Sequence, residues 1–478
     1  MSDATVREAN PRHRIVIVGA GFGGMYTAIH LGRMWRKTRD ADVVLVNRDN
    51  YFLMTPFLFE AGSGVLDPRH AVSPIRLLLK NTAARFVEAD VESIDFDRRV
   101  VRARHAPGDG DVYELPYDHL VLSLGGVTNL KIIPGSENAL TFKTLADAIY
   151  LRNHVIDAFE HADATSDDAV RRRLLSFVII GAGLVGVELM GELTAFVEHI
   201  GRSYPRTRET PKSFHLIEAG PNILPEMERD LAGYAERVLT RRGVVVHASS
   251  PATRIEPGLV HLPDGSAIDA HTVVLAAGVA VNPLLASFPL EKDRKGRVLV
   301  DGTMRSKSHP NVWALGDCAV IPDPTGKPYP QLAQHALREA RVLAANITAV
   351  LRGTGEVKPF VYQTLGTLAS LGDFQGVGRV MKFKVRGFVA WWVWRSYYLM
   401  QMPRFERKLR IVLDWTVALF FHFDIVKLDL FGDRHPLRQA GPADASQPLV
   451  GSAQSGVSPP QDAPTAARPS LATQGASA

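Results

Sequence analysis

The sequence carries one glycine pattern twice, and each copy follows a short apolar segment. The first copy lies in "RIVIVGAGFGGMYTA" and places Gly19, Gly21 and Gly24 at G-x-G-x-x-G spacing. A β-branched run before such glycines and small residues after them are typical of a buried strand, a tight turn and a helix. The first glycine permits the turn, the second lets the backbone approach a pyrophosphate, and the third lets the helix pack on the strand. The pattern predicts a dinucleotide site whose phosphates lie at the helix N-terminus.

The next predicted strand determines how this site would hold a ribose. The strand is "DVVLVN", and it ends at Asn47, where an aspartate or glutamate is usual. The amide of asparagine can still hydrogen-bond a ribose hydroxyl group. We therefore predict that Asn47 completes the first dinucleotide site.

The second copy of the pattern follows a strand predicted over 174–180. It lies in "FVIIGAGLVGVELMGEL" and supplies Gly181, Gly183 and Gly186. The next strand, in "SFHLIEAG", ends at Glu218, and the unusually long interval before it is explained by an inserted polar loop, "GRSYPRTRETPKS". A carboxylate at this position accepts hydrogen bonds from ribose hydroxyls and repels a 2′-phosphate, and no arginine follows it closely. The second site is therefore predicted to bind NADH rather than NADPH.

Two dinucleotide sites in one chain indicate two nucleotides brought face to face. One is most simply FAD, held as a fixed cofactor, and the other is NADH, which leaves as NAD⁺. The expected reaction is hydride transfer from nicotinamide to flavin, for which the protein supplies position and electrostatics.

Two further segments support a flavin. "NVWALGDCA" would bring Gly316 and Asp317 from the end of an apolar strand to a ribityl chain, and it resembles the second FAD signature of the pyridine-nucleotide flavoprotein reductases. "YDHLVLSLGG" and "HTVVLAAGVAVNP" resemble the crossings between the FAD and NAD domains of that superfamily. Gly278, in the second crossing, therefore joins the candidate cofactor-binding residues.

Composition, charge and cysteine content limit the classes of protein to which the chain can belong. A chain of 478 residues with 46% hydrophobic and 22% charged residues is typical of a folded protein of two or three domains. The net charge of +5 is too small to indicate nucleic-acid binding, and the polar N-terminus does not resemble a secretory signal. Cys318 is the only cysteine, so no disulfide can form within the chain; we interpret it as a small buried residue rather than a redox thiol. We predict no metal site.

Taken together, the motifs resemble those of the type II NADH:quinone oxidoreductases, the single-subunit NADH dehydrogenases that pump no protons. The resemblance runs from about residue 12 to about residue 430 and includes "NYFLMTPFLFEAGSGVLDPRHAVSPIR", "GVELMGEL", "IEAGPNILPEM", "LAAGV" and "ALGDCA". It implies FAD and NADH as cofactors and a membrane quinone as the electron acceptor. It also implies a respiratory-chain enzyme bound peripherally to the cytoplasmic face of the inner (cell) membrane.

One further motif both matches and departs from that family. "LAQHALREA" is similar to the family's A-Q-x-A-x-Q helix beside the flavin and the quinone, but Arg338 stands at its second glutamine position. An arginine there could hydrogen-bond a quinone carbonyl or stabilise a quinol anion. It could equally pair with a carboxylate and narrow the site. The candidate catalytic residues are Glu188, Gln334 and Arg338.

The C-terminal third is unusually aromatic and locally basic. The aromatic run between Gly387 and Met402 is too short to span a bilayer, which takes about 20 apolar residues. Aromatic and aliphatic residues with basic flanks are typical of an interfacial helix on an anionic leaflet, here over residues near 382–430. A dimerisation or core-packing helix is the alternative, and the resemblance implies a homodimer. The basic residues are Lys382, Lys384, Arg386, Arg395, Arg404, Arg407, Lys408 and Arg410.

The predicted fold is α/β, with two Rossmann-like dinucleotide-binding domains for FAD and NADH and a C-terminal amphipathic membrane-binding module. The predicted boundaries are 12–140 and 282–350 for a discontinuous FAD domain, 141–281 for the NADH domain, 351–440 for the module and 441–478 for a disordered tail. Two other functions stay open. One is an NAD(P)H-dependent flavoprotein reductase with a soluble acceptor, and the other is a nucleotide-sensing membrane flavoprotein with little turnover.

Overall fold

A computed structural model describes residues 13–38, 40–105, 110–421 and 424–427; the predicted tail 441–478 lies outside them. The helices of this part, numbered in chain order, are α1 (Phe22–Met34), α2 (Leu58–Gly62), α3 (Ile75–Leu79), α4 (Leu145–Ala164), α5 (Asp168–Leu174), α6 (Leu184–Gly201), α7 (Arg229–Arg241), α8 (Ala333–Arg352), α9 (Gly387–Gln401) and α10 (Phe405–Phe420).

Most strands are short, and half of those named here belong to two large sheets. In chain order they are β1 (His13–Val18), β2 (Ala41–Asn47), β3 (Tyr51–Leu53), β4 (Val72–Pro74), β5 (Ala84–Asp95), β6 (Val100–His105), β7 (Val112–Pro116), β8 (His119–Leu122), β9 (Gly126–Thr128), β10 (Leu140–Thr141), β11 (Ser176–Ile180), β12 (Ser213–Ile217), β13 (Val244–His247), β14 (Arg254–Glu256), β15 (Leu259–His261), β16 (Ala267–Asp269), β17 (Thr272–Leu275), β18 (Val279–Val281), β19 (Val298–Leu299), β20 (Val312–Ala314), β21 (Ala319–Val320), β22 (Gly366–Ser370), β23 (Gly376–Val380) and β24 (Phe383–Arg386).

The first large sheet has seven strands in the order β20-β8-β1-β2-β5-β6-β7. The strands from β20 to β5 are parallel, and β6 and β7 continue the sheet as an antiparallel hairpin. All residues from Ile15 to Val18 are buried, as expected for a parallel strand covered on both faces. The edge strand β20 follows the second sheet in the chain. The chain therefore returns to the first sheet after the second sheet is complete.

The second large sheet has five parallel strands in the order β10-β17-β11-β12-β13. Its central strand begins at Ser176, two residues later than predicted, because Leu174 ends α5. The two sheets are connected by the predicted crossings, which lie side by side as the antiparallel pair β9 and β18. The α/β architecture with two Rossmann-like sheets is thus confirmed.

The C-terminal part contains an antiparallel sheet, β22-β23-β24, that the sequence analysis did not predict. Its glycines allow close packing, against α9 at Gly376 and against β22 at Gly378. A Cβ atom on Gly376 would lie 2.6 Å from the backbone nitrogen of Trp391, and one on Gly378 would lie 2.3 Å from the carbonyl oxygen of Thr367. The strands must therefore contain glycine for the neighbouring strand and helix to approach this closely.

The helices α9 and α10 expose apolar side chains, including Trp392 at 57%, Met400 at 71% and Phe405 at 81%. Among the described residues, no helix has both the length and the apolar character needed to span a bilayer.

Several of the basic residues predicted to flank this surface are instead used within the protein. Lys384 and Arg386 pair with Asp230, and Arg395 pairs with the buried Glu60. The charges of these three side chains are matched by carboxylates within the protein, and their expected role toward a leaflet stays a prediction. Arg404 and Arg410 share one further carboxylate on α10, that of Glu406.

Candidate active site

The first glycine turn connects β1 to α1. Gly19 has φ +96°, and a Cβ atom there would lie 2.4 Å from the carbonyl oxygen of Ser123; one on Gly24 would lie 1.8 Å from the carbonyl oxygen of Gly19. Both positions thus require glycine for the turn and for helix packing. A Cβ atom on Gly21 would meet nothing within 4 Å, so this position opens into the space where a pyrophosphate would approach.

The second turn, between β11 and α6, repeats these features. Gly181 has φ +103°, a Cβ atom on Gly186 would lie 1.8 Å from the carbonyl oxygen of Gly181, and Gly183 borders open space except for the Glu226 carboxylate at 3.2 Å. Neither α1 nor α6 has an acidic residue in its first turn or a side-chain cap. The positive ends of both helix dipoles are therefore left for phosphate groups, and the residues fit two dinucleotides.

The predicted ribose ligands occupy equivalent places in the two turns. The side-chain oxygen of Asn47 accepts a hydrogen bond from the backbone N–H of Ala20 at 2.9 Å. Glu218 accepts one from the N–H of Ala182 at 2.8 Å and a second from the N–H of Gly220 at 2.7 Å. Each side chain is thereby fixed at the end of its strand, beside the glycine turn, with lone pairs left for hydroxyl groups.

Gly316 and Asp317 lie in a 3-10 turn that follows β20 at the carboxyl edge of the first sheet. Gly316 has φ +70° and donates its N–H to the Glu339 carboxylate at 2.8 Å, while the Gln331 side chain donates to the carbonyl oxygen of Asp317 at 2.7 Å. Burial raises the pKa of Asp317. The turn is thus held from two sides, by Glu339 in the first half of α8 and by Gln331 in the segment before it.

Glu339 is a residue that sequence reasoning missed. It is buried, and burial raises its pKa to about 7. A signal was present, because Glu339 lies three residues after Ala336 and four before Leu343, on the apolar face of the predicted helix. A carboxylate on that face needs a buried donor, and the N–H of Gly316 is that donor.

For two other predicted residues, Cys318 and Gly278, contacts or backbone conformation within the protein explain the residue type. Cys318 is fully buried, which confirms the interpretation as a small buried residue, and burial raises its pKa to about 12. Gly278 has φ +72°, and a Cβ atom there would lie 2.7 Å from the side chain of Ile132. The positive φ of Gly278 favours glycine at that position, whereas the tip of the Ile132 side chain could move aside.

Glu188 lies on α6, where it meets the C-terminal part of the chain. One of its oxygens accepts hydrogen bonds from the indole N–H of Trp394 at 2.8 Å and from the backbone N–H of Ser370 at 2.9 Å. Burial raises the pKa of Glu188 to about 8, although these two donors oppose the shift. The Ser370 hydroxyl donates to Glu192 at 3.2 Å, and the pKa of Glu192 is raised to about 7 by burial and by the charge of Glu60.

Gln334 and Arg338 lie one turn apart on α8, as predicted. Gln334 donates to the carbonyl oxygen of Gly366 at 3.2 Å and accepts from the Tyr362 hydroxyl at 3.3 Å. The guanidinium of Arg338 stacks on the Tyr362 ring, 4.4 Å from its centroid, and donates to the carbonyl oxygen of Gln334 at 2.7 Å. Within the described residues, Arg338 forms no ion pair with a carboxylate, so this structure gives no support to that alternative.

Arg338 also lines a cleft of about 730 Å³ between α1, α8 and the junction of α9 with α10. Ligand clefts commonly have volumes of about 300–1,000 Å³. The structure therefore brings Gln334 and Arg338 together at one end of α8, while Glu188 lies on α6 against the buried face of α9.

Comparison with known proteins assigns both parts of the chain. Residues 13–340 match the pyridine nucleotide-disulphide oxidoreductase family, and residues 364–432 match the NDH2 C-terminal domain.

Two relatives cover most of the chain. The type II NADH:quinone oxidoreductase Ndh of Mycobacterium tuberculosis is 30% identical over 85% of this chain and 88% of its own length. The demethylphylloquinone reductase NdbB of a Synechocystis species is 31% identical over 84% of this chain and 96% of its own length.

Among solved structures, NDH2 from Plasmodium falciparum in complex with NADH superposes with a TM-score of 0.79 at 18% identity. It covers 87% of this chain and 100% of that chain. At this identity the likeness concerns the fold.

Proposed function

We propose, on the premise that this chain belongs to the type II NADH:quinone oxidoreductases within the pyridine nucleotide-disulphide oxidoreductase family, that it oxidises NADH and reduces a membrane quinone without pumping protons. The observation that carries the proposal is the repeated glycine turn, each copy closed by its own strand-end acceptor, Asn47 or Glu218. A protein built this way holds two nucleotides at once.

The residues divide between the two nucleotides. The turn at Gly19 and the side chains of Asn47 and Asp317 would hold FAD, and the turn at Gly181 with Glu218 would hold NADH. FAD, when bound, supplies the redox chemistry, taking two electrons from NADH and giving them to the quinone. The start of α8 adds the positive end of a helix dipole near the flavin, which favours negative charge there.

The acceptor side is proposed to lie at Gln334 and Arg338. Gln334 is fixed by Tyr362 and Gly366, so its position is set before a quinone arrives. Arg338 has no carboxylate partner in the described structure, so its positive charge is available to a quinone carbonyl or a quinol anion. Glu188 is proposed to act as a buried carboxyl group where α6 meets α9, and its raised pKa of about 8 keeps it protonated near neutral pH.

The proposed location is the cytoplasmic face of the inner (cell) membrane, as a peripheral enzyme of a respiratory chain. The exposed apolar side chains of α9 and α10 support membrane contact, because a patch this apolar is unusual on a soluble surface. The same surface is proposed to contribute to a homodimer. The domain boundaries 12–140, 141–281, 282–350, 351–440 and 441–478 are part of the proposal and are supported by the return of β20 to the first sheet.

The function is tested under anaerobic conditions with the purified holoprotein. We expect stoichiometric NADH to bleach the flavin absorbance and a subsequent addition of quinone to restore it. Bleaching that only a soluble acceptor reverses would favour the flavoprotein reductase. Absent or very slow bleaching would favour the nucleotide-sensing flavoprotein.

Membrane binding is tested by flotation with anionic liposomes. The double variant Trp392→Ser/Phe405→Ser should lose most of its liposome binding, because it removes two exposed aromatic side chains. The control Leu130→Ser/Val245→Ser removes two exposed apolar side chains outside α9 and α10 and should float like the wild type. Equal flotation of both variants would place the membrane contact elsewhere.

A further inference from the structure

The cleft beside α1 and α8 has an unusual combination of charge and apolar surface. Its basic side chains are Arg33, Arg338, Arg341 and Lys408, and none of its lining residues is acidic. Within the described part of the chain, none of the four cations forms an ion pair with a carboxylate. The proposed quinone contact uses the charge of Arg338 but gives no reason to gather the other three cations, whereas an anionic group would neutralise them.

Two of the cations, Arg33 and Arg341, lie in the part of the cleft that is farther from the first glycine turn. The N-terminus of α1 lies at the first glycine turn, so Arg33, near the end of α1, lies about two helical turns beyond Tyr26. Arg33 and Arg341 both lower the pKa of the intervening His30, which is already lowered by burial. The two guanidinium groups therefore act on the same point, away from Gln334 and the start of α8.

Apart from the four cations and from Tyr26, His30, Tyr362 and Gln401, the lining residues of the cleft are apolar, and the cleft opens beside the proposed membrane surface. Met400 and Val361, which are 71% and 65% exposed, lie in its wall together with the buried Met402. Pro403 separates α9 from α10 here, and the strongly exposed Phe405 follows at once. A ligand with its anionic group at Arg33 and Arg341 would thus have apolar surface leading toward the exposed side chains of α9 and α10.

We propose that this cleft binds one anionic phospholipid, with the headgroup phosphate between Arg33 and Arg341 and the acyl chains along Met400 and Val361. The guanidinium fork matches phosphate oxygens, and the apolar wall matches hydrocarbon. The proposal rests on the membrane association proposed above. It also accounts for the arginine at position 338, which adds positive charge at the inner end of the same cleft.

The experiment measures one-to-one binding of short-chain phosphatidylglycerol, below its micelle concentration, to the full-length holoprotein by calorimetry. Short-chain phosphatidylcholine provides the uncharged comparison, and inorganic phosphate provides the free anion. The variant is Arg33→Gln/Arg341→Gln. The control is Arg294→Gln/Lys295→Gln, which removes the same charge from an exposed loop that does not line the cleft.

We expect a single phosphatidylglycerol site whose affinity falls at least about tenfold in the cleft variant and is unchanged in the control, because charge-assisted contacts to the phosphate are lost. Raising the salt concentration should weaken binding to the wild type more than to the cleft variant. The single variant Arg341→Glu should abolish the site.

Three results would overturn the proposal. Equal binding of phosphatidylcholine and phosphatidylglycerol would make the cleft a purely apolar channel. Displacement by equimolar inorganic phosphate would make it a site for a free anion. Equal phosphatidylglycerol affinity in both double variants would remove these arginines from the site.

Failure of this proposal is distinguishable from failure of the proposed function. NADH-dependent reduction of a soluble quinone analogue in lipid-free detergent tests the electron transfer without the cleft lipid. Flotation tests α9 and α10 separately. FAD content and melting temperature establish that each variant is folded.

Discussion

Replacing Glu218 tests the nicotinamide site most directly, because the structure shows what each oxygen of this carboxylate already does. One oxygen accepts from the N–H of Ala182 at 2.8 Å and the other from the N–H of Gly220 at 2.7 Å. Glu218→Ala removes both acceptors and the proposed ribose contact. Glu218→Gln keeps the size but turns an NH₂ group toward one of two N–H donors, so it should not rescue the site.

The expected loss of kcat/KM for NADH follows from the proposed hydrogen bond between the Glu218 carboxylate and the ribose. A hydrogen bond to a charged group contributes about 1.5–3 kcal/mol. At about 1.4 kcal/mol per tenfold, kcat/KM for NADH should fall by roughly 10- to 150-fold. NADPH should not lose activity in the same proportion, because the carboxylate that repels its 2′-phosphate is gone. The ratio of NADH to NADPH kcat/KM should therefore fall by a similar factor.

The assay is stopped-flow bleaching of the flavin by NADH and by NADPH. Asn47→Ala is the matched control, because it also leaves a backbone N–H unpaired in a glycine turn, that of Ala20. It should weaken FAD retention while leaving the NADH to NADPH ratio unchanged. If Glu218→Ala left that ratio at the wild-type value, or if Asn47→Ala changed it equally, the assignment of the two turns would be refuted.

Three further predictions concern the flavin, the acceptor and a buried carboxyl group. Asp317→Ala should lose FAD on dialysis, and wild-type FAD stoichiometry after dialysis would contradict the ribityl role. Arg338→Gln should slow reoxidation of the flavin by quinone in stopped-flow experiments and spare its reduction by NADH; the opposite pattern would place the acceptor on the other side of the flavin. Glu188, whose folded-state pKa is raised from 4.5 to about 8, contributes stability that is full below pH 4.5 and is lost as the pH rises toward 8. The side-chain oxygen of Glu188→Gln can accept the same two hydrogen bonds and does not titrate. The melting temperature of this variant should therefore fall less than that of the wild type over this pH range. Parallel curves of melting temperature against pH would show that Glu188 does not titrate in this way.

The nucleotide turns were predictable because their requirements are local. Gly24 must lack a side chain because a Cβ atom there would lie 1.8 Å from the carbonyl oxygen of Gly19, and this need is visible in the spacing of three glycines. The strand-end positions of Asn47 and Glu218 follow equally from short apolar runs. Spacing and strand ends were enough to find these positions, since each unit folds from neighbouring residues.

The interior contacts of the C-terminal part were not predictable, because their partners are distant in the chain. Arg395 looked like a membrane-facing cation, yet it donates to Glu60 at 2.8 Å, and Trp415 donates to the same carboxylate at 2.7 Å. The sequence around Arg395 shows a cation in an aromatic segment, but it does not indicate that the carboxylate partner is Glu60. Likewise, nothing in "GVELMGEL" indicated that Glu188 would meet an indole N–H from α9.

These contacts bear on how the two nucleotide units are held together. Neighbouring residues of α9 reach different elements, since Trp394 donates to Glu188 on α6 and Arg395 to Glu60 on α2. The helix α2 belongs to the first unit by sequence, but its Phe59 is buried in the core of the second unit and stacks on Phe142 with centroids 5.5 Å apart.

Separating the units would thus expose aromatic core residues, and it would also break either the hydrogen bond from Trp394 to Glu188 or the ion pair of Arg395 with Glu60. Opening by rigid-body motion is therefore strongly disfavoured. The relative position of the two nucleotides is set when the chain folds, and NADH must enter a cleft that is already formed. In that arrangement α9 has two roles, since its buried face fixes the geometry for electron transfer and its exposed face carries the apolar side chains proposed to contact the membrane.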